Sequence, residues 1–140
     1  MEQKYIVGDI VMYDNKIMVI KEPVDEGCFD LYCTKEGVVY FLVDVDEIKP
    51  VSLTPRILGK NGWRKEMMSR GQRDGYWVYT KPDIEEYGYF PIYIEKGIGE
   101  EFDVYPFTDN NVCKQIAYIK YVHQLQHLLF GLGLNHEMEV

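Results

Sequence analysis

Short apolar runs separated by turn residues fill the first fifty positions. In "GDIVMYDNKIMVI" two such runs flank Asp14-Asn15, residue types that accept the positive φ of a tight hairpin. "CFDLYC" then sets Phe29, Leu31 and Cys33 against Asp30 and Tyr32, the alternation of a half-buried strand. Lys35-Glu36-Gly37 turns the chain into "VVYFLV", and a last run around "DEIKPV" carries Pro50, which suits an edge or a strand end. These short strands, opened by a Gly8-Asp9 turn, predict a curled, SH3-like small β-barrel over residues 1–52.

The pattern changes at "SLTPRILGKNGWRK". Thr54 is a good N-cap, Pro55 takes the first helical position where its missing N–H costs nothing, and Gly62 supplies the stop. A helix of about two turns is expected, gripping through Ile57, Leu58 and Trp63. The polar "EMMSRGQRDG" reads as a loop and as the place for a domain seam. From Tyr76 onward "YWVYTK", "YFPIYIEKG", "EFDVYPF" and "KQIAYIKY" read as antiparallel strands, with a hairpin turn at Gly97-Ile98-Gly99. A closing helix is expected in "YVHQLQHLLFGLG". On a helical wheel Val122, Leu125, Leu128, Leu129 and Leu132 form one stripe with Tyr121, while His123, Gln124, Gln126, His127 and Phe130 fall opposite. The expectation is leucines inward, each worth roughly 1.5–3 kcal/mol when buried, and both imidazoles outward. The whole chain is expected to be α+β. An N-terminal barrel (1–52) precedes an α+β subdomain (53–140) of short helix, antiparallel sheet and C-terminal amphipathic helix covering that sheet.

Composition adds a bound and a charge layout. The 140 residues suffice for one ordinary domain or two very small ones in contact. The formal charge of −8 is uneven. Residues 1–50 and 81–140 are strongly acidic, whereas 51–80 carry Arg56, Lys60, Arg64, Lys65, Arg70 and Arg73 against only Glu66 and Asp74. A general nucleic-acid coat needs a broad positive footprint, so this segment reads first as a solvated face and second as an anionic-ligand patch. There is no apolar run of signal-peptide length and none of the ~20 residues that a membrane helix needs. With Cys28, Cys33 and Cys113 in no framework spacing, reduced thiols in the cytoplasm are expected.

Candidate chemistry is thin. His123 and His127 have the H-x3-H spacing of two metal ligands on one helical face, but Gln124 stands where a zincin carries glutamate, and catalytic zinc wants a third ligand. A solvated or partner-facing helix surface is the better reading. The first turn of this helix lacks a good N-cap residue, so His123, Gln124 and Gln126 are expected to hydrogen-bond a neighbouring strand at the helix start or to satisfy orphan backbone groups around it. Cys28-x4-Cys33 is at most half a zinc site. The aromatic run from Tyr76 to Phe107, with Tyr87, Tyr89 and Phe90 inside it, suits strand packing first and a stacking platform second. Glu85, Glu86, Glu95, Glu100, Glu101 and Asp103 read as wet turn acids rather than a glycosidase pair. No catalytic residue, metal or cofactor is expected.

"VSLTPRILGKNGWRK" and "IKYVHQLQHLLFGLGL" carry a resemblance. The chain resembles a group of small proteins of Bacteroides-type gut bacteria, their phages and mobile elements. That group has an opening R-I-G-N-x-V strand, a P-x-x-L-T-x-x-x-L-x-x-x-G-F/W helix and a closing V-H-Q-L-Q-x-L helix. The matching residues are Gly8-Asp9-Ile10-Val11, Leu53-Thr54, Leu58, Gly62-Trp63 and Val122 to Gln126. Asp9 departs from the expected asparagine, and the middle β region is longer. The resemblance implies a phage or mobile-element context and no chemistry.

The expected function is therefore a non-enzymatic accessory protein that binds a protein partner through His123, Gln124, His127, Phe130 and Trp63. The first alternative is nucleic-acid binding through the basic 56–73 segment, and the second is a metal-dependent hydrolase at His123 and His127.

Overall fold

The computed structural model describes residues 5–70, 73–81, 92–97, 99–106 and 117–140, with the backbone alone for 68–70 and 73–76. The chain is a mixed α+β protein of two antiparallel sheets and few helices. It divides into two compact units: Met1–Ser52 with Tyr121–Met138 and Val140, and Leu53–Lys120 with Glu139.

In the first unit β1 (Ile10–Tyr13), β2 (Lys16–Asp25), β3 (Cys28–Cys33) and β4 (Val38–Asp44) form a meander, and a 3-10 turn (Val45–Glu47) leads to β5 (Lys49–Pro50) beside β1. The β1–β2 hairpin turns through Asp14 and Asn15 at φ 52° and 58°, as their short polar side chains allow. The strand order β4-β3-β2-β1-β5 leaves β4 and β5 at the edges, so the described strands do not close into a barrel. Tyr5, Val11, Met18, Ile20, Leu31, Cys33, Val43 and Ile48 make the core. One alternation breaks. Asp30, expected outward, is buried, because β4 bulges there: Phe29 pairs Val43 and Leu31 pairs Tyr40, so Phe41 and Leu42 together oppose Asp30.

The closing helix, α2 (Val122–Gly131), belongs to this first unit and not, as the sequence suggested, to the 53–120 sheet. Tyr121 bridges Ser52, and the Val122 amide donates to the Val51 carbonyl at 2.8 Å, so the helix starts from the end of the N-terminal strands. The sixty-odd residues between them in sequence form the second unit.

That unit opens with α1 (Pro55–Lys60), capped by Thr54 Oγ1 accepting from the Ile57 amide at 3.2 Å and stopped at Gly62, φ 89°. Ile57, Leu58 and Trp63 are buried as the apolar grip. The stretch expected as a loop, 66–75, instead forms most of β6 (Arg64–Arg70) and the start of β7 (Arg73–Thr80), whose later residues were expected as a strand; the sheet continues with β8 (Ile92–Lys96), β9 (Phe102–Pro106) and β10 (Ala117–Ile119). Its polar residues misled because ladder hydrogen bonds and cross-strand pairs can hold an exposed ribbon without an apolar alternation. Val78, Tyr79, Ile92, Ile94, Phe102, Val104 and Ile119 are buried in this sheet.

Candidate functional site

The turn before β1 and the first turns of α2 meet over a group of buried polar side chains. Gln126 is the anchor. Its Oε1 accepts from the Ile10 amide at 2.9 Å, and its Nε2 donates to the Gly8 carbonyl at 2.9 Å and to the His136 carbonyl at 3.2 Å. Asp9, 1% exposed, accepts from the Ile6 amide at 2.9 Å and from His127 Nε2 at 2.6 Å, an ion pair whenever the imidazole is protonated. The His127 side chain remains 32% exposed. His123 is 2% exposed, its ring 5.1 Å from Tyr5, stacked on Tyr121 at 5.9 Å and edge-on to His127 at 5.5 Å.

Burial sets the electrostatics. It lowers the His123 pKa to about 4, helped by the neighbouring His127, so this ring is neutral near pH 7. Burial also raises Asp9 above the usual carboxylate range, opposed by the Ile6 amide and by His127. Tyr5 is pushed up to about 12 by burial, with the charges of Asp9 and Tyr121 adding. Among the described residues the buried Tyr5 hydroxyl has no hydrogen-bond partner. The group therefore couples one oriented, part-exposed imidazole to a buried carboxylate. No hydroxyl or thiol among the described residues hydrogen-bonds that imidazole, and none of their His, Cys, Asp and Glu side chains gather in threes to hold a metal ion.

Two expectations are overturned here. The histidines do not both face outward: His123 and Gln126 are buried with Val122, Leu125 and Leu129, while Leu132 is exposed. The wheel ranked side chains by hydropathy alone, but the surface receiving α2 includes the backbone of Gly8 and Ile10, which only a polar side chain can satisfy. His123 is thus covered, and so is Trp63, buried in the second unit beside α1. Gln124 behaves as expected of a first-turn polar residue, its Oε1 accepting from the Tyr121 amide at 3.0 Å. His127 and Phe130, which is 59% exposed, stay available on the outer side of α2. Ile6 and Val7, both exposed, precede Asp9 on the same turn.

The basic candidates lie in the second unit. Arg56 and Lys60 are exposed on α1, Arg64 and Lys65 are exposed on β6, and Arg70 pairs Arg73 across the β6–β7 hairpin. The Lys65 ammonium sits 5.2 Å over the ring of Trp77, itself exposed next to Met67. Glu85, Glu86, Tyr87, Tyr89, Phe90, Phe107 and Cys113 lie outside the described residues, as do the side chains of Arg70, Arg73 and Tyr76. Glu95, Glu101 and Asp103 line an open hollow of about 490 Å³ with Tyr118. Burial there, then Glu95 and Glu101, raises the Asp103 pKa.

Sequence reasoning missed Asp9, Asp30, Phe41 and Leu42. From sequence, Asp9 reads as part of the Gly8-Asp9 turn. Comparison with family models, with curated proteins and with solved structures finds no match. Among the described residues no helix is long and apolar enough to cross a membrane.

Proposed function

We propose that the chain is a non-enzymatic accessory protein of phage or mobile-element origin, working in the cytoplasm, that binds a protein partner through the outer side of α2. One observation carries this reading. Phe130, one helical turn beyond His127, and the exposed Ile6-Val7 pair lie on the two segments that the buried Asp9 joins. Asp9 holds the imidazole in one orientation, so a part-exposed polar anchor sits beside apolar side chains that a solvated helix has no need to display. Strand order β4-β3-β2-β1-β5 with a 3-10 turn before β5 supports an SH3-like reading of the first unit, a scaffold that serves many binding functions. The test is to recover partners by affinity purification and titrate each against Phe130→Asp and His127→Ala. Loss of about tenfold or more in affinity is expected for an anchor residue, with the circular dichroism of Phe130→Asp unchanged. A partner bound equally by both variants retires the proposal.

A second reading, binding of single-stranded nucleic acid, is favoured by the Lys65–Trp77 pair, which offers an exposed aromatic face with a cation over it. It predicts affinity for a mixed-sequence oligonucleotide that falls steeply with salt and drops in Trp77→Ala. A flat titration at low salt dismisses it.

A further inference from the structure

The opposite region of the first unit carries a second surface, built on a strained edge. β4 is an edge strand, paired among the described residues with β3 alone. At its bulge Leu42 adopts φ 54°, a left-handed conformation that a leucine rarely takes, while its side chain stands 56% exposed and that of Phe41 69% exposed. Val38, on the same strand, is exposed as well. The conformation is held from below: the buried carboxylate of Asp30 accepts from the Leu42 amide at 2.9 Å. Glycine or asparagine would fit this backbone without strain, and a polar side chain would fit its exposure. A leucine there is unfavourable on both counts in the free protein, which is how binding residues on a pre-set scaffold behave.

Charge selects the occupant. Residues 25–30 and 41–47 hold six acids and no lysine or arginine. The Val45 amide donates to the Gly27 carbonyl at 2.8 Å, bringing the exposed Asp25 and Glu26 to the end of β4 where Asp44, Asp46 and Glu47 are exposed. An edge strand offers unused main-chain N–H and C=O groups to an extended segment, and apolar side chains rimmed by acids match apolar side chains interleaved with cations. A second copy meeting β4 with its own β4 would bring acid against acid.

We propose that the β4 edge, centred on Phe41 and Leu42, is a docking site for an extended, basic and apolar peptide segment of another protein. The probe is an array of peptides of roughly seven to ten residues, a strand's length, combining Lys or Arg with Val, Ile, Leu, Phe or Tyr, beside a matched array carrying Asp or Glu. The full chain is expected to bind basic members only. The strongest of these, titrated by fluorescence anisotropy, should lose about tenfold or more in Phe41→Asp and in Asp44→Lys/Asp46→Lys, and keep its affinity in Phe130→Asp. Retention in Phe130→Asp separates this site from the α2 surface proposed above. Equal binding of the acidic array, or unchanged affinity in Phe41→Asp, overturns the proposal. So does concentration-dependent dimerisation in sedimentation that Phe41→Asp abolishes, because a second copy would then occupy the edge.

Discussion

The turn at Asp9 and the bulge at Asp30 solve the same problem with different chemistry. Each places a nearly water-free aspartate, 1% and 6% exposed, behind a surface where apolar side chains reach solvent. At the bulge the carboxylate accepts from a backbone amide, Leu42, and pins a conformation. At the turn it accepts from a backbone amide and also from a side chain, His127, beside a second imidazole that burial keeps neutral. The difference teaches that a buried acid can brace either a backbone conformation alone or a backbone turn together with the side chain presented beside it.

The sharpest way to break the comparison is at the anchor of the turn. Gln126→Leu removes the partners of the Ile10 amide and the Gly8 carbonyl together, leaving buried polar groups unsatisfied at about 1–3 kcal/mol each. Denaturant unfolding should show a loss of about 3 kcal/mol, larger than for any substitution at the β4 edge. A loss below about 1 kcal/mol would mean water replaces the amide and the turn is not braced as described.

Acid comes next in size. The folded pKa of His123 lies at about 4, below the ordinary histidine value of about 6.5, so between those values the unfolded chain holds a proton that the native ring does not. Stability should be level above that window and fall as pH drops through it, by about 1.4 kcal/mol for each pH unit crossed. Asp9 acts in the opposite sense: its raised pKa lets the native state bind a proton more readily just above its usual range. Urea midpoints against pH should therefore steepen in Asp9→Asn and flatten in His123→Phe. A His123→Phe profile that matches the wild type would remove the ring from the account.

At neutral pH Asp9→Ala is expected to cost about 1–2 kcal/mol, since the Ile6 amide loses its acceptor and the bond to His127 is lost with it. The smallest effect has the opposite sign. Leu42→Gly should stabilise the chain by about 0.5 kcal/mol, because glycine takes the left-handed conformation freely even though it loses more entropy on folding. Thermal denaturation measures it. A destabilised Leu42→Gly would show that the leucine side chain packs in the free protein and that the bulge is not strained.

Legibility in the sequence followed the range of the interactions. The Asp14-Asn15 hairpin and the Thr54-Pro55 start with its Gly62 stop were readable because each depends on residues within a few positions of one another. β6 and the start of β7 were not, since their mostly polar residues carry no apolar alternation to announce a strand. Asp30 was placed outward by a strict period of two, and a single bulge in the neighbouring strand was enough to bury it. Of the candidate contacts, Phe130 and His127 kept the exposure expected of them. Trp63 and His123 lost it to burial in their separate units.

Local residue order, then, determined the tight turns, the capped first helix and the strands of both sheets other than β6, because backbone sterics and capping bonds act between near neighbours. Tertiary structure alone decided that His123 and Gln126 enter the protein beside Val122, Leu125 and Leu129. The groups that required a polar side chain there, the Ile10 amide and the Gly8 carbonyl, lie 116 and 118 positions from Gln126, beyond the reach of any periodicity along the helix. Hydropathy ranks a glutamine as a surface residue, but an unsatisfied backbone pair in a water-free seam makes it the residue that must go inside.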